Sequence, residues 1–370
     1  MEGLKRRRVL LRSEKGGRVK AIALVPGTKT LRVVERPEPE VTAPDEIKVK
    51  VLRVGICGTD REEASGGRAD APPGKKELII GHEMFGRVVQ VGSSVRSVGT
   101  GDYAVFSVRR GCSRCPACAI YRSDMCYTGD YTERGIKGQD GYQTEYVVDR
   151  EPYVVKIPED VAPVGVLAEP TSVVEKAIDE AVAIQTARLP DVEDPSSWLK
   201  DKRALVAGIG TIGLLGIFAL RLRGAEVMAL GREDADTLRP SLLTRIGAKY
   251  IDERQVRPDR LEEHFGQIDL ILEATGAARL EFDLLSALGI NGLYVLTGIP
   301  GADRPINIEA AALMRKLVLK NQVMVGSVNE SQKHFQMAVQ DLKKARETWG
   351  NAIDQMITHQ FPYQQFEEAL

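Results

Sequence analysis

The stretch that most restricts what this chain can fold into is residues 203–220, Arg-Ala-Leu-Val-Ala-Gly-Ile-Gly-Thr-Ile-Gly-Leu-Leu-Gly-Ile-Phe-Ala-Leu. Residues 204–207 form a short apolar run of strand character. Gly208, Gly210 and Gly213 follow at the spacing G-x-G-x-x-G, then an apolar segment suited to a helix on a sheet, then a second strand-like run at 226–230. Strand, glycine turn, helix and strand in this order form a dinucleotide-binding unit of a doubly wound parallel sheet. Gly208 permits the tight turn, Gly210 lets backbone N–H groups approach a pyrophosphate, and Gly213 lets helix and strand come close. Thr211 and Ile212 open the helix, whose unpaired N–H groups face the phosphate charge. The uncharged run between Arg203 and Arg221 is shorter than the ~20 residues of a membrane span and holds glycines throughout, so a span is rejected.

At 370 residues the chain is long enough for two domains. Its 51 basic and 52 acidic residues nearly cancel, which leaves no electrostatic footprint for nucleic acid or an anionic membrane. Residues 1–18, with basic Lys5 to Arg8, read as a flexible extension, because the apolar run that follows is too short for a signal peptide. The first half is dense in short alternating runs, at 19–24, 31–34, 46–54, 78–80, 86–91 and 102–106. Alternation at period two, broken by glycine turns, indicates an irregular β-rich domain.

Three motifs stand between these runs: Gly55-Ile-Cys57-Gly-Thr59-Asp60, Gly81-His82-Glu83 and Leu167-Ala-Glu169-Pro170. Cys57, His82, Glu83 and Glu169 offer one thiolate, one imidazole and two carboxylates. A mixed set of this kind with an open position suits catalytic zinc, although spacing alone does not bring the four together. The cysteine cluster is a stronger signal. Cys112, Cys115, Cys118 and Cys126 follow C-x2-C-x2-C-x7-C. Four thiolates this close favour a closed structural zinc site over disulfides or an iron–sulfur cluster.

Taken together, these motifs resemble the zinc-containing medium-chain dehydrogenases, from Val19 to the end of the chain. The similarity is greatest to the glucose 1-dehydrogenase branch. It is carried by residues 55–62, 108–112, 132–136 with Asp140 and Gly141, 169–176, 326–329 and 334–336. The resemblance implies a GroES-like β-rich catalytic domain, with its structural zinc lobe, over residues 19–186 and 326–370, and a Rossmann cofactor domain over 187–325. It implies that Cys57 and His82 bind catalytic zinc, with Glu83 or Glu169 completing the set directly or through water. Thr59 is similar to the hydroxyl that passes the substrate proton onward. Glu133 matches a sugar-contacting carboxylate, and Asn329 a residue near nicotinamide and sugar. Some relatives carry Gln at position 169 and Asp at 173, where this chain has Glu169 and Val173, which leaves epimer preference open. The implied enzyme is cytoplasmic and a homo-oligomer, a dimer or tetramer.

In the cofactor half, residues 187–202 read as a linker behind a helix over 171–185. After the second strand come Gly231 and Arg232, where an NAD site would place a carboxylate on the ribose. Its absence, with a guanidinium beside it, favours NADP. Glu233 keeps NAD open. Thr275 and Thr297 close two further buried strands whose ends should line the cofactor crevice, and residues 317–325 read as the last strand. A helix is expected over 331–348 with Phe335, Ala338, Val339 and Leu342 on one face. Relatives usually continue beyond the helix-like run at 366–370 to a final strand. The expected reaction is oxidation of the C1 hydroxyl of an aldose, D-glucose first and D-galactose as a further substrate, to the aldonolactone. Polyol, alcohol and threonine dehydrogenases, and a non-catalytic nucleotide-binding relative, are the alternatives.

Overall fold

The computed structural model describes residues 17–192, 194–301 and 304–370. The basic segment at 5–8 lies outside the described residues. Arg18, the last residue of the stretch read as an extension, opens the first strand, Arg18–Leu24.

The glycine loop belongs to a six-stranded sheet with the spatial order Lys249–Asp252, Glu226–Gly231, Arg203–Ala207, Ile268–Glu273, Leu288–Leu296, Val323–Gly326. Every pairing in it is parallel. Ala204 and Val206 face one side of the sheet, and Leu205 and Ala207 the other. Both faces are covered, which is why these strands are apolar runs rather than alternations. One cover is made by the helices Ala168–Arg188, Thr211–Leu222 and Gln332–Trp349. The other includes Ala278–Leu284 and Leu261–Phe265.

The β-rich half holds a five-stranded antiparallel sheet in the order Tyr146–Arg150, Glu46–Gly55, Glu83–Val91, Tyr103–Phe106, Val154–Ile157. One face buries Ile47, Val49, Met84, Val88, Phe106 and Tyr142. The opposite side, through Phe85, Val105 and Val155, runs into the same core as Val174, Leu215 and Val206. The two halves therefore share one apolar cluster. The last residues return to the first half: Lys20 Nζ donates to Tyr363 Oη at 2.8 Å, Arg61 Nε to the Leu370 carbonyl at 3.1 Å, and Phe366 and Leu370 pack on Ile22, Leu24 and Ile80.

Three local readings need correction. The apolar run at 317–325 is not one strand. The helix Ala310–Leu319 takes its first part, Asn321 turns the chain at φ 49°, and only Val323–Gly326 joins the sheet. A short apolar run cannot tell strand from helix, and the alanines at 310–312 tip it to helix. The helix expected at 171–185 is longer, Ala168–Arg188, so the linker begins later. Two of the metal-ligand positions expected between the elements, Glu83 and Glu169, lie inside them. Cys57 caps the helix Gly58–Ala64, Glu83 begins a strand, and Glu169 sits in the first turn of a 21-residue helix.

Candidate active site

The site is assembled by element ends. Cys57 occupies the N-cap of Gly58–Ala64. Its Sγ accepts the Thr59 N–H at 3.2 Å, and Asp60 Oδ2 accepts the Cys57 N–H at 2.8 Å. Antiparallel pairing sets Gly55 opposite Glu83. A Cβ on Gly55 would lie 1.9 Å from Glu83 Oε2, so only glycine leaves room for that carboxylate. The outcome is Cys57 Sγ at 3.2 Å from His82 Nε2, and one donor atom from each of Cys57, His82 and Glu83 within 4.8 Å of the others. Sulfur and nitrogen on one tetrahedral zinc stand ~3.5 Å apart, so the trio fits that ion. His82 Nδ1 lies 3.7 Å from Asp60 Oδ1, and both atoms are buried without a hydrogen-bond partner. A small closure would let Nδ1–H donate to Asp60, which leaves the Nε2 lone pair for a metal.

The electrostatics agree. Burial pushes the Cys57 thiol up, against the pull of His82. Burial pushes Glu83 up to about 7, with His82 opposing and Asp60 adding. Burial alone would lower His82, but Asp60 and Cys57 outweigh it and hold its pKa well above the ordinary value. Acidic groups crowd a single imidazole here, and a divalent cation relieves that crowding.

Glu169 stays outside the three-donor cluster. It is buried close to His82 and Glu83, and burial followed by the charge of Glu330 raises its pKa well above the ordinary range. Thr59 is half-buried one residue into the Cys57-capped helix. Glu133 is not free: Arg109 Nε and Nη2 donate to its Oε1 at 3.2 and 3.0 Å, and Asn329 Nδ2 donates to the same oxygen at 2.7 Å. The four lobe cysteines bring their sulfurs within 4.8 Å of one another, and none forms a disulfide. Cys112 and Cys118 Sγ are 3.9 Å apart, against the ~3.8 Å edge of a zinc–sulfur tetrahedron.

At the other end of the site, Gly208 turns the chain at φ 96° and Gly210 caps Thr211–Leu222 without a side-chain bond. A Cβ at Gly210 would meet nothing within 4 Å, so the helix N–H groups open onto space a phosphate can fill. At Gly213 a Cβ would sit 1.9 Å from the Gly208 carbonyl oxygen. Gly213→Ala must therefore separate helix from strand, and a loss of cofactor affinity of at least about tenfold is expected by equilibrium binding. Ile212 is half-buried just inside the helix, and Gly231 ends the second strand where a Cβ would come within 3.0 Å of Ile209 and 3.1 Å of Tyr250. Arg232 is exposed and bidentate on Glu253, at 2.9 and 2.7 Å. Glu273 organises the crevice rim: its Oε1 accepts the Thr275 N–H at 2.6 Å, and its carbonyl accepts from Thr297 Oγ1 at 2.6 Å.

Asp60, Arg109, Glu253 and Glu330 were not read from the sequence as site residues. Asp60 alone had a local signal, since it stands three residues after Cys57 in a capping box.

The model of the glucose dehydrogenase C-terminus matches residues 162–370, and that of the alcohol dehydrogenase GroES-like domain matches 43–159. The chain belongs to the glucose dehydrogenase family. Glucose 1-dehydrogenase of Methanocella arvoryzae is 35% identical over 354 residues, covering 95% of this chain and 96% of that one. The Thermoproteus tenax enzyme is 36% identical over 352 residues, 95% of each. The glucose dehydrogenase of Haloferax mediterranei, solved with NADP, Zn and gluconolactone, superposes with a TM-score of 0.83 at 34% identity over 95% of both chains. The glucose dehydrogenase fold thus accounts for the GroES-like half and the Rossmann half alike.

Proposed function

We propose that this chain is a zinc-dependent dehydrogenase that oxidises the C1 hydroxyl of D-glucose, with D-galactose as a further substrate, to the aldonolactone, and that it prefers NADP to NAD. The observation that carries the reading is the cluster of half-buried Cys57 with buried His82 and Glu83, built on a chain more than a third identical to a glucose 1-dehydrogenase along nearly its whole length. When bound, zinc supplies Lewis acidity to the sugar oxygen and the nicotinamide supplies the hydride acceptor. Cys57, His82 and Glu83 hold the ion, and Asp60 orients His82. Glu169 contributes through water or from the sugar side. Thr59 carries the C1 hydroxyl proton outward. Glu133 and Asn329 read sugar hydroxyls, and a sugar lacking the matching hydroxyl leaves them unpaired. Gly208, Gly210, Thr211, Ile212 and Gly213 take the pyrophosphate; Gly231 and Arg232 the adenosine side; Thr275, Thr297 and Asn329 the nicotinamide side. Cys112, Cys115, Cys118 and Cys126 hold a structural zinc.

We assign residues 19–186 and 326–370 to the catalytic domain and 187–325 to the cofactor domain, and the working form to a cytoplasmic homo-oligomer, a dimer or tetramer. No helix among the described residues is long and apolar enough to cross a membrane. Polyol and threonine dehydrogenase activities are not favoured, because the relatives cited carry the glucose name. A panel of initial rates with aldoses, polyols and threonine, each with both cofactors, tests the reading. D-glucose with NADP is expected to lead, and a polyol leading would overturn it.

Arg232 leaves Glu253 to meet a 2′-phosphate in this reading. Arg232→Ala is expected to raise KM for NADP about tenfold and to change KM for NAD little, since one exposed charge-assisted pair is lost. Equal changes in both would show that Arg232 serves only its bond to Glu253.

A further inference from the structure

A buried lysine joins the four-cysteine lobe to the loop that carries Asn329. Lys176 stands on the inner face of Ala168–Arg188, and its side chain is 3% exposed. Nζ donates to the Val328 carbonyl at 2.7 Å and faces Asp124 Oδ2 at 3.3 Å and Glu180 Oε1 at 3.9 Å. Asp124 lies between Cys118 and Cys126, on the single turn Ser123–Met125. Its carbonyl accepts from Arg109 Nη1 at 3.2 Å, and Arg109 also grips Glu133. Asn329, next after Val328, holds Glu133 from the other side at φ 62°. The ring is closed: Asp124, Lys176, Val328, Asn329, Glu133, Arg109 and back to Asp124.

From this ring we propose that Lys176 is a positioning residue for the sugar-reading pair Glu133 and Asn329, with the four-cysteine lobe as its anchor. The part that names sugar rests on the function proposed above. A left-handed asparagine costs on the order of 1 kcal/mol and persists only where its surroundings hold it. Here the hold is the lysine on the preceding carbonyl. With that bond gone, the carbonyl of half-exposed Val328 loses its lysine donor, and the Val328–Asn329 peptide is released to turn toward water. Asn329 then leaves Glu133, while Asp124 keeps Arg122, whose Nη2 is 2.8 Å away, so the lobe itself stays in place.

The test is Lys176→Met in the zinc-loaded full chain, which keeps length and bulk and removes the donor. KM for D-glucose is expected to rise about tenfold, KM for NADP to rise less than about threefold because the glycine turn and Arg232 still hold the phosphates while only the Asn329 contact is lost, and bound zinc to stay unchanged. Amide exchange is expected to quicken over 327–331 and to stay as before over 112–126. An unchanged glucose KM, or NADP KM rising as much as glucose KM, would overturn the sugar-positioning role, and unchanged exchange at 327–331 would overturn the strut itself. The exchange measurement needs no substrate, so quickened exchange in a protein without glucose activity leaves the strut standing and fails only the proposed function. Should Lys176→Met not fold, Asp124→Asn weakens the ring from the lobe side. It should raise glucose KM about threefold at constant NADP KM; no change would overturn the role.

Discussion

Cys57→Ser is expected to lower turnover on D-glucose by on the order of a thousandfold or more, because a bound Lewis acid contributes several kcal/mol and each 1.36 kcal/mol is tenfold in rate. The fold should survive. Cys57 is an N-cap whose side chain accepts the Thr59 N–H, and serine is among the best residues for that position. What serine cannot supply is a soft anionic donor beside His82 Nε2. Elemental analysis should find one zinc fewer per chain, with an unchanged circular dichroism spectrum. A serine variant with full zinc and full activity would remove Cys57 from the ligand set.

Cys115→Ser is expected to have the largest effect on stability. Residues 112–126 have almost no core of their own. They form one four-residue helix, Pro116–Ala119, and a single 3-10 turn, Ser123–Met125. Their apolar side chains point outward, with Ile120 70% and Tyr121 74% exposed and neighbouring Tyr127 77%. A segment with so little burial must be held by something else, and it presents two constraints: the four clustered thiols and the buried Asp124 with its partners Arg122 and Lys176. Structural zinc contributes on the order of 10 kcal/mol in isolated small modules. In this larger chain a loss of about 3–5 kcal/mol is expected, a fall of roughly 5 °C in Tm. Differential scanning calorimetry with zinc analysis checks it. A variant that loses the lobe zinc and melts as before would show that the lobe is held by its ion pairs alone.

The sequence and the fold agree where a physical requirement is local. The glycine turn is one case: the close approach at Gly213 and the open face at Gly210 are both consequences of neighbouring residues. The cysteine quartet is another, since its spacing confines four sulfurs to one small volume. The Cys57, His82 and Glu83 meeting was less legible. It depends on the Gly55–Glu83 register of a sheet, and Glu169, of equal chemical promise, ends outside the trio. Least legible were the partners that tune the site. Arg109 on Glu133, Lys176 on Val328 and Glu253 on Arg232 join residues 24, 152 and 21 positions apart. No periodicity records such pairings, because they arise only once the layers have packed.

The most direct test of the proposed chemistry is a zinc titration of chelator-stripped protein, read as the initial rate of NADP reduction by D-glucose. The expected result is no detectable rate without metal. The rate should return in step with zinc bound at the Cys57 site, and no return is expected for Cys57→Ser at the same zinc concentration. Full-rate glucose oxidation by metal-free protein would contradict the assignment.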